Sequence, residues 1–175
     1  MRTATTLTAR TTASLGACAL ALTLTLTGCS QARDQVGALT TQAQSAVASA
    51  RSLADGLAAQ VDRARADLAT ARSAVDDAKA QLGSLDTTAR ATAQDAVDQA
   101  TTALDTAKSA LDTASTDGAG PAADQLAAAQ SALDAARTKL DAAAGSTDGA
   151  ARSAMDALAA QVEALRVEVE KATTT

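Results

Sequence analysis

Large apolar residues recur at seven-residue spacing along the chain, and all of them except Leu82 are followed three residues later by an alanine. The spacing forms three blocks: Val61, Leu68, Val75 and Leu82; then Val97, Leu104 and Leu111; then Leu126, Leu133 and Leu140. A seven-residue repeat predicts α-helices that pack along one seam with a left-handed supercoil. Because large side chains alternate with alanine on this seam, we expect neighbouring helices to approach closely.

The last part of the chain, from about residue 150 to residue 172, predicts a further helix with a more conventional seam. Its two heptad positions hold Met155, Val162 and Val169, and Leu158, Leu165 and Ala172. Glu163 lies three residues before Arg166, a spacing that allows an ion pair on the helix surface.

The first break between helices follows the first apolar block, at Gly83 and Ser84. The interval from Leu82 to Val97 is one residue longer than two heptads. This extra residue indicates either a turn near Gly83, with Asp86 capping the next helix, or a skip within one continuous helix.

The tetrapeptide Ser-Thr-Asp-Gly occurs twice, at residues 115–118 and 146–149, and predicts the other two turns. Pro121 suits the first turn of the helix that follows the earlier copy. The predicted helices of the bundle span about residues 57–82, 86–115, 121–144 and 150–172.

The predicted fold class is all-α, an elongated antiparallel helical bundle or coiled coil, because short connections join antiparallel neighbours. The first helix, about 50 residues from Arg33 to Leu82, would extend roughly 75 Å at 1.5 Å per residue and outrun the others. We therefore expect residues 29–56 to form a stalk or extended helix, and residues 57–175 to form an alanine-rich hairpin or up-and-down bundle.

The composition narrows the range of folds further. The 175 residues include no aromatic residue, no histidine and one proline, with a formal net charge of −5. Few large apolar side chains are available, which argues against a thick globular core. Alanine favours the helical conformation, and long helices can be stable with a narrow core. An alternative is a segment similar to group-3 LEA proteins, disordered until dried or bound.

The N-terminal residues have the layout of a secretory signal. Arg2 and Arg10 precede an apolar stretch from Leu15 to Leu26, which is too short to span a bilayer permanently. The tetrapeptide that follows, Leu26-Thr27-Gly28-Cys29, resembles the lipobox of bacterial lipoprotein precursors. The resemblance implies cleavage between Gly28 and Cys29, a diacylglycerol on the Cys29 sulfur, and acylation of the new amine.

Two other interpretations of this segment stay open. Apolar and polar or small residues alternate over residues 19–26, as in a half-buried strand. The segment could also be an ordinary signal peptide that is cut elsewhere and carries no lipid.

The lipobox resemblance implies an extracytoplasmic protein, held by lipidated Cys29 at the outer face of a bacterial plasma membrane. Two acyl chains on one residue give stable membrane anchoring. Removal of residues 1–28 would also remove Cys18 and two arginines, so the mature chain would have a net charge of −7 and no thiol left for a disulfide or metal.

Candidate chemistry is scarce in the remaining sequence, and we expect no enzyme activity, no cofactor and no metal site. Without histidine, the usual catalytic triads and the commonest metal ligand are missing. Asp76 and Asp77 are adjacent and so point to different sides of a helix. Net acidity without aromatic residues disfavours nucleic-acid binding, and the chain has too few bulky side chains to line a small-molecule pocket.

These expectations indicate a cell-envelope lipoprotein that acts as a non-catalytic helical spacer, scaffold or tether. Its plan is similar to that of the murein lipoproteins, which join a lipidated cysteine to an alanine-rich heptad helix. In those proteins a terminal lysine is bonded to peptidoglycan, whereas here Lys171 is followed by Ala172-Thr173-Thr174-Thr175. The expected partners are a membrane and, through the heptad seams, other copies or envelope proteins. The alternative function is an adaptor that binds a partner helix and could fold on binding.

Overall fold

A computed structural model describes the backbone of residues 31–174 and the side chains of residues 39–174. Within this range the protein is all-helical, without strands. Its four α-helices are α1 (Gln31–Gln81), α2 (Thr87–Asp117), α3 (Ala119–Gly145) and α4 (Gly149–Thr174). The chain divides into two units, residues 1–41 and residues 42–175. The helical bundle lies in the second unit.

The first helix, α1, is 51 residues long and continues without a break through Gly56. Its length agrees with the 50 or so residues expected from the sequence. Residues 39–56 are exposed at every position, and regular burial begins at Gln60 and Val61. The part of α1 that packs in the bundle is therefore its C-terminal half.

The connection between α1 and α2 is a turn, not a skip within one helix. A short 3₁₀ segment, Leu82–Ser84, follows α1. Asp86 caps α2 as expected, because its carboxylate accepts hydrogen bonds from the backbone N–H groups of Thr88 and Ala89. The guanidinium of Arg90 then folds back and donates to the carbonyls of Leu82, Gly83 and Leu85. These contacts supply hydrogen-bond donors to carbonyl groups of the turn between α1 and α2.

The two Ser-Thr-Asp-Gly segments share one pattern of side-chain hydrogen bonds. In the first, the hydroxyls of Ser115 and Thr116 donate to the carbonyl of Asp112. In the second, Ser146 and Thr147 donate to the carbonyl of Ala143 in the same way. The sequence repeat therefore encodes a repeated way of terminating a helix.

The glycines that close these segments adopt positive φ angles, which side chains with a Cβ rarely accept. Gly118 has φ 89° and separates α2 from α3, whereas Gly149 has φ 58° and begins α4. The first segment stays helical to Asp117, but the second leaves the helix after Gly145.

The core consists of the predicted alternation of large residues and alanines. On α3 the seam residues are all fully buried: Ala122, Leu126, Ala129, Leu133, Ala136, Leu140 and Ala143. The seams of α1, α2 and α4 join the same cluster. Because alanine fills every second seam position of α1, α2 and α3, the core is narrow.

Ion pairs and hydrogen bonds between helices show that sequential neighbours are antiparallel. Between α1 and α2, Arg65 pairs with Asp112 at 3.0 Å and Arg72 pairs with Asp105 at 2.8 Å, so one residue number rises as the other falls.

The contacts of α3 show that it is also antiparallel to both neighbours. With α2, the contacts are Lys139 to Asp95 and Gln125 to Thr113. With α4, they are Arg137 to Glu163 and Asp134 to Arg166. Because α2 and α4 barely touch each other, they lie diagonally across the bundle. The topology is up-down-up-down.

None of the helices within residues 31–174 combines the length and apolarity needed to cross a bilayer.

Candidate functional surfaces

The predicted lipidation site lies outside the described residues. Gly28 and Cys29, together with the rest of the lipobox and the apolar stretch before it, precede the first described residue, Gln31. The anchor therefore stays a prediction from the sequence. The described residues contribute surfaces of three kinds, which are an exposed apolar helix face, a groove, and charged networks between helices.

The exposed apolar face belongs to α1 and continues the seam that enters the bundle. In the bundle, α1 uses three heptad positions, represented by Gln60, Val61 and Ala64. Counting back in steps of seven, the same three positions are apolar from Leu57 to Ala43, and the next residue at the position of Val61 is Thr40. We call this set the free face: Ala43, Ala46, Val47, Ala50, Leu53, Ala54 and Leu57.

The free face is exposed except at Leu57, which is half-buried against the core, although the face is more apolar than the buried part of the seam. Val47 is 50% exposed and Leu53 is 58% exposed. Within the bundle, by contrast, the corresponding positions include the polar residues Gln60, Asp67 and Gln81. A contiguous patch of exposed apolar residues is a common mark of an interaction site.

A shallow groove adjoins the end of the free face. It lies between α1 and the end of α2, and its volume is about 270 Å³. Its lining residues are Ala54, Leu57, Ala58, Val61, Asp62, Arg65, Ala114, Ser115 and Gly118. The floor is apolar and the rim is polar, as in a groove that receives a side chain from a packed helix.

Arg65 at the rim of this groove is held on three sides. It contacts the carboxylates of Asp112 and Asp62 and donates a hydrogen bond of 2.9 Å to the Ser115 hydroxyl. Lys108 also pairs with Asp112, at 2.6 Å. The hydrogen bonds from Lys108 and Arg65 lower the pKa of the Asp112 carboxyl below its ordinary value.

A charged network joins α3 to α4 around Arg166. The predicted pair is present, because Arg166 donates two hydrogen bonds of 2.9 Å to the Glu163 carboxylate. It also contacts Glu170 at 3.1 Å and Asp134 of α3 at 3.3 Å, while Arg137 of α3 contacts Glu163 at 2.9 Å. The Arg166 hydrogen bonds lower the pKa of Glu163, and Glu163 in turn raises the pKa of Arg166.

The link between α1 and α4 is a polar pair near the edge of the core. The Gln60 amide donates a hydrogen bond to the Glu168 carboxylate, and Lys171 pairs with the other oxygen of Glu168. Gln60 is only 8% exposed. The pair joins residues 108 positions apart, so no local sequence pattern predicted it.

Between residues 31 and 174, no group of three or more histidine, cysteine, aspartate or glutamate side chains could hold a metal ion. Asp76 and Asp77 are both exposed on α1. Each buried side-chain nitrogen or oxygen in the same part of the chain has a hydrogen-bond partner.

The chain matches no protein-family model, no curated protein and no solved structure.

Proposed function

We propose that the protein is a lipid-anchored envelope lipoprotein in which the helical bundle is a non-catalytic spacer or scaffold. The observation that carries the proposal is the sequence Leu26-Thr27-Gly28-Cys29 after an apolar stretch and two arginines. Cys29 would hold the membrane through its acyl chains, and Gly28 would be the last residue removed.

Support for a mechanical role comes from how α1 is divided. Residues 39–56 are exposed, whereas the following residues of the same helix pack in the bundle. An exposed helical stretch that precedes the packed residues along the chain would act as a spacer. At 1.5 Å per residue, residues 42–56 alone would extend roughly 22 Å.

Metabolic labelling with a palmitate analogue tests the anchor. The wild-type chain and the Cys18→Ala variant should both incorporate the label and sediment with membranes. The Cys29→Ala variant should do neither, because it lacks the acceptor sulfur. Label retained in Cys29→Ala, or lost equally in Cys18→Ala, would contradict the proposal.

An adaptor is the second candidate function, and the free face of α1 favours it. An adaptor whose bundle opens to admit a helix would have to separate seams that the four helices bury against each other. The free face requires no such opening, since Val47 and Leu53 are already exposed. Adaptor and spacer are therefore compatible roles on one chain.

A further inference from the structure

We infer that the free face of α1 is a docking site for a helix of another protein, one that resembles α2 in its seam and in its charges. The inference deepens the proposed function, because it gives the anchored scaffold a partner. The inferred site rests on the continuity of the seam, on where α2 and α4 end, and on one arginine.

The free face is continuous with an interface that the structure already contains. Beyond Leu57, the same three heptad positions of α1 are buried or half-buried in the core that the four helices share, and Gln60 contacts Glu168 of α4. Since the face keeps its heptad phase, a helix that packs on it would meet the same alternation of large and small side chains. Val47 and Leu53 would fit opposite small residues, and Ala50 and Ala54 would receive large ones.

No helix of the described chain is long enough to cover this face. Arg65 pairs with Asp112, and α2 ends five residues later at Asp117, level with about residue 60 of α1. Gln60 pairs with Glu168, and α4 ends six residues later at Thr174, level with about residue 54. The described helices leave uncovered the part of the face that precedes these levels, so a partner for it would come from outside the described residues.

A second copy of the chain whose α1 runs parallel to the first does not fit on the free face. After Leu57, the seam of each α1 is occupied by its own α2 and α4. Two parallel α1 helices joined through the free face would therefore collide with each other's bundles. The obstacle follows from the packing alone and does not depend on the anchor.

A second copy running antiparallel would direct its N-terminal end away from that of the first. Two such copies could not both insert an acylated Cys29 into the same membrane. This step rests on the proposed function, whereas the exclusion of a parallel copy does not. A helix of a different protein is the occupant that meets both constraints.

The charge pattern beside the face identifies the chemistry of that helix. Arg65 and Arg72 occupy one heptad position of α1, and both pair with aspartates of α2, namely Asp112 and Asp105. Arg51 holds the same heptad position, two heptads before Arg65, beside the free face. The expected partner therefore carries aspartate next to its apolar seam.

α2 shows the full pattern in the units Ala103-Leu104-Asp105-Thr106-Ala107 and Ala110-Leu111-Asp112-Thr113-Ala114. A helix with leucine and alanine on the seam and a flanking aspartate every seven residues fits the face. Its end would lie at the groove beside Gly118.

A fluorescein-labelled peptide with the α2 sequence, residues 87–117, is the probe, and fluorescence anisotropy with the full chain in detergent is the measurement. The peptide should bind the wild-type chain. Val47→Asp with Leu53→Asp should weaken binding by at least tenfold, because two charges would be desolvated at the seam. The control Ala48→Asp with Ser52→Asp carries the same charge on the other side of the helix and should bind within about twofold of wild type.

A charge exchange tests the role of Arg51. Arg51→Glu should weaken binding by about two- to fivefold, the range of an exposed ion pair. A peptide with Asp105→Lys and Asp112→Lys should reverse this preference and bind Arg51→Glu better than wild type. An unchanged preference would overturn the assigned charge pattern.

Three outcomes would overturn the inference. The first is a wild-type chain that fails to bind the peptide at any concentration at which the peptide is monomeric. The second is a free-face variant that binds as well as its control, which indicates exchange of the peptide into the bundle. The third is a dimer in sedimentation that only the free-face variant abolishes, which indicates a second copy.

The Cys29→Ser chain should bind like the wild type in this assay. Failure of the anchor is therefore visible in palmitate labelling, and failure of the docking site is visible in anisotropy.

Discussion

Gln60 of α1 donates a hydrogen bond to Glu168 of α4 and closes the ring of four helices. Both residues lie near the edge of the core, where Gln60 is 8% exposed and the Glu168 side chain is 15% exposed. A buried carboxylate that loses a donor pays a desolvation cost. The pair therefore contributes to stability because removal of Gln60 would leave the Glu168 carboxylate without one of its hydrogen-bond donors.

Replacing Gln60 with alanine should lower the free energy of unfolding by about 1–3 kcal/mol, since Glu168 would keep only Lys171 as a partner. Urea unfolding followed by circular dichroism gives the value. Gln44→Ala is the matched control, because Gln44 is exposed on the same helix. Equal stabilities for the two variants would show that the pair contributes little.

The narrow core makes each large seam residue important for stability. Leu133 is fully buried, whereas Leu53 is 58% exposed. Leu133→Ala should lower the free energy of unfolding by about 2–5 kcal/mol. Leu53→Ala should change it by less than about 0.5 kcal/mol. Similar losses for both, measured by urea unfolding, would mean that residue 53 is packed in the protein.

The turn between α2 and α3 depends on the backbone angle of Gly118. At φ 89° and ψ 170°, a Cβ is strained whatever space surrounds it, so Gly118→Ala should cost roughly 1–3 kcal/mol.

Gly120 provides the opposite case. It lies in helix α3, and no side chain or neighbouring helix comes within 4 Å of the position that a Cβ would take. Gly120→Ala should therefore stabilise the protein by roughly 0.5–1 kcal/mol, because alanine favours the helix more than glycine does. Thermal unfolding compares the two variants. Effects of the same sign would contradict the turn geometry.

The Arg166 network predicts the direction of acid destabilisation. Hydrogen bonds from Arg166 lower the folded-state pKa of Glu163 below its ordinary value of 4.5. A carboxyl whose pKa is lowered by folding stabilises the protein above its unfolded pKa, and this contribution is lost as the pH falls through the folded pKa. The wild type should therefore lose stability below about pH 4.5.

Glu163→Gln isolates this contribution. The variant should be less stable than wild type at pH 7 and should approach it as the pH falls towards 3, since its amide does not titrate. Asp76→Asn is the control, because Asp76 is exposed on α1. Parallel pH profiles for wild type and Glu163→Gln would contradict the network.

The fold was largely predictable because the heptad seam determines which side of each helix is buried. Val61, Leu104, Leu133 and Leu158 are buried as that pattern predicts. The cap of α2 was also predictable, since the N–H group that donates to the Asp86 carboxylate belongs to a residue only two positions further along the sequence.

Contacts that depend on tertiary structure were not predictable from the pattern. Arg90 reaches three carbonyls only because the turn brings them together. The free face was not identified from the sequence, because which heptads of α1 are covered depends on where α2 and α4 end. Sequence periodicity gives the side of a helix that packs and does not give the length over which a neighbour follows it.

Intact and N-terminal-fragment mass spectrometry of the protein purified from membranes tests the central claim most directly. The proposed anchor predicts a mature chain that begins at Cys29, with residues 1–28 removed and the mass of a diacylglycerol on that residue. A chain that begins at another residue, or one that carries Cys29 as a free thiol, would contradict the account.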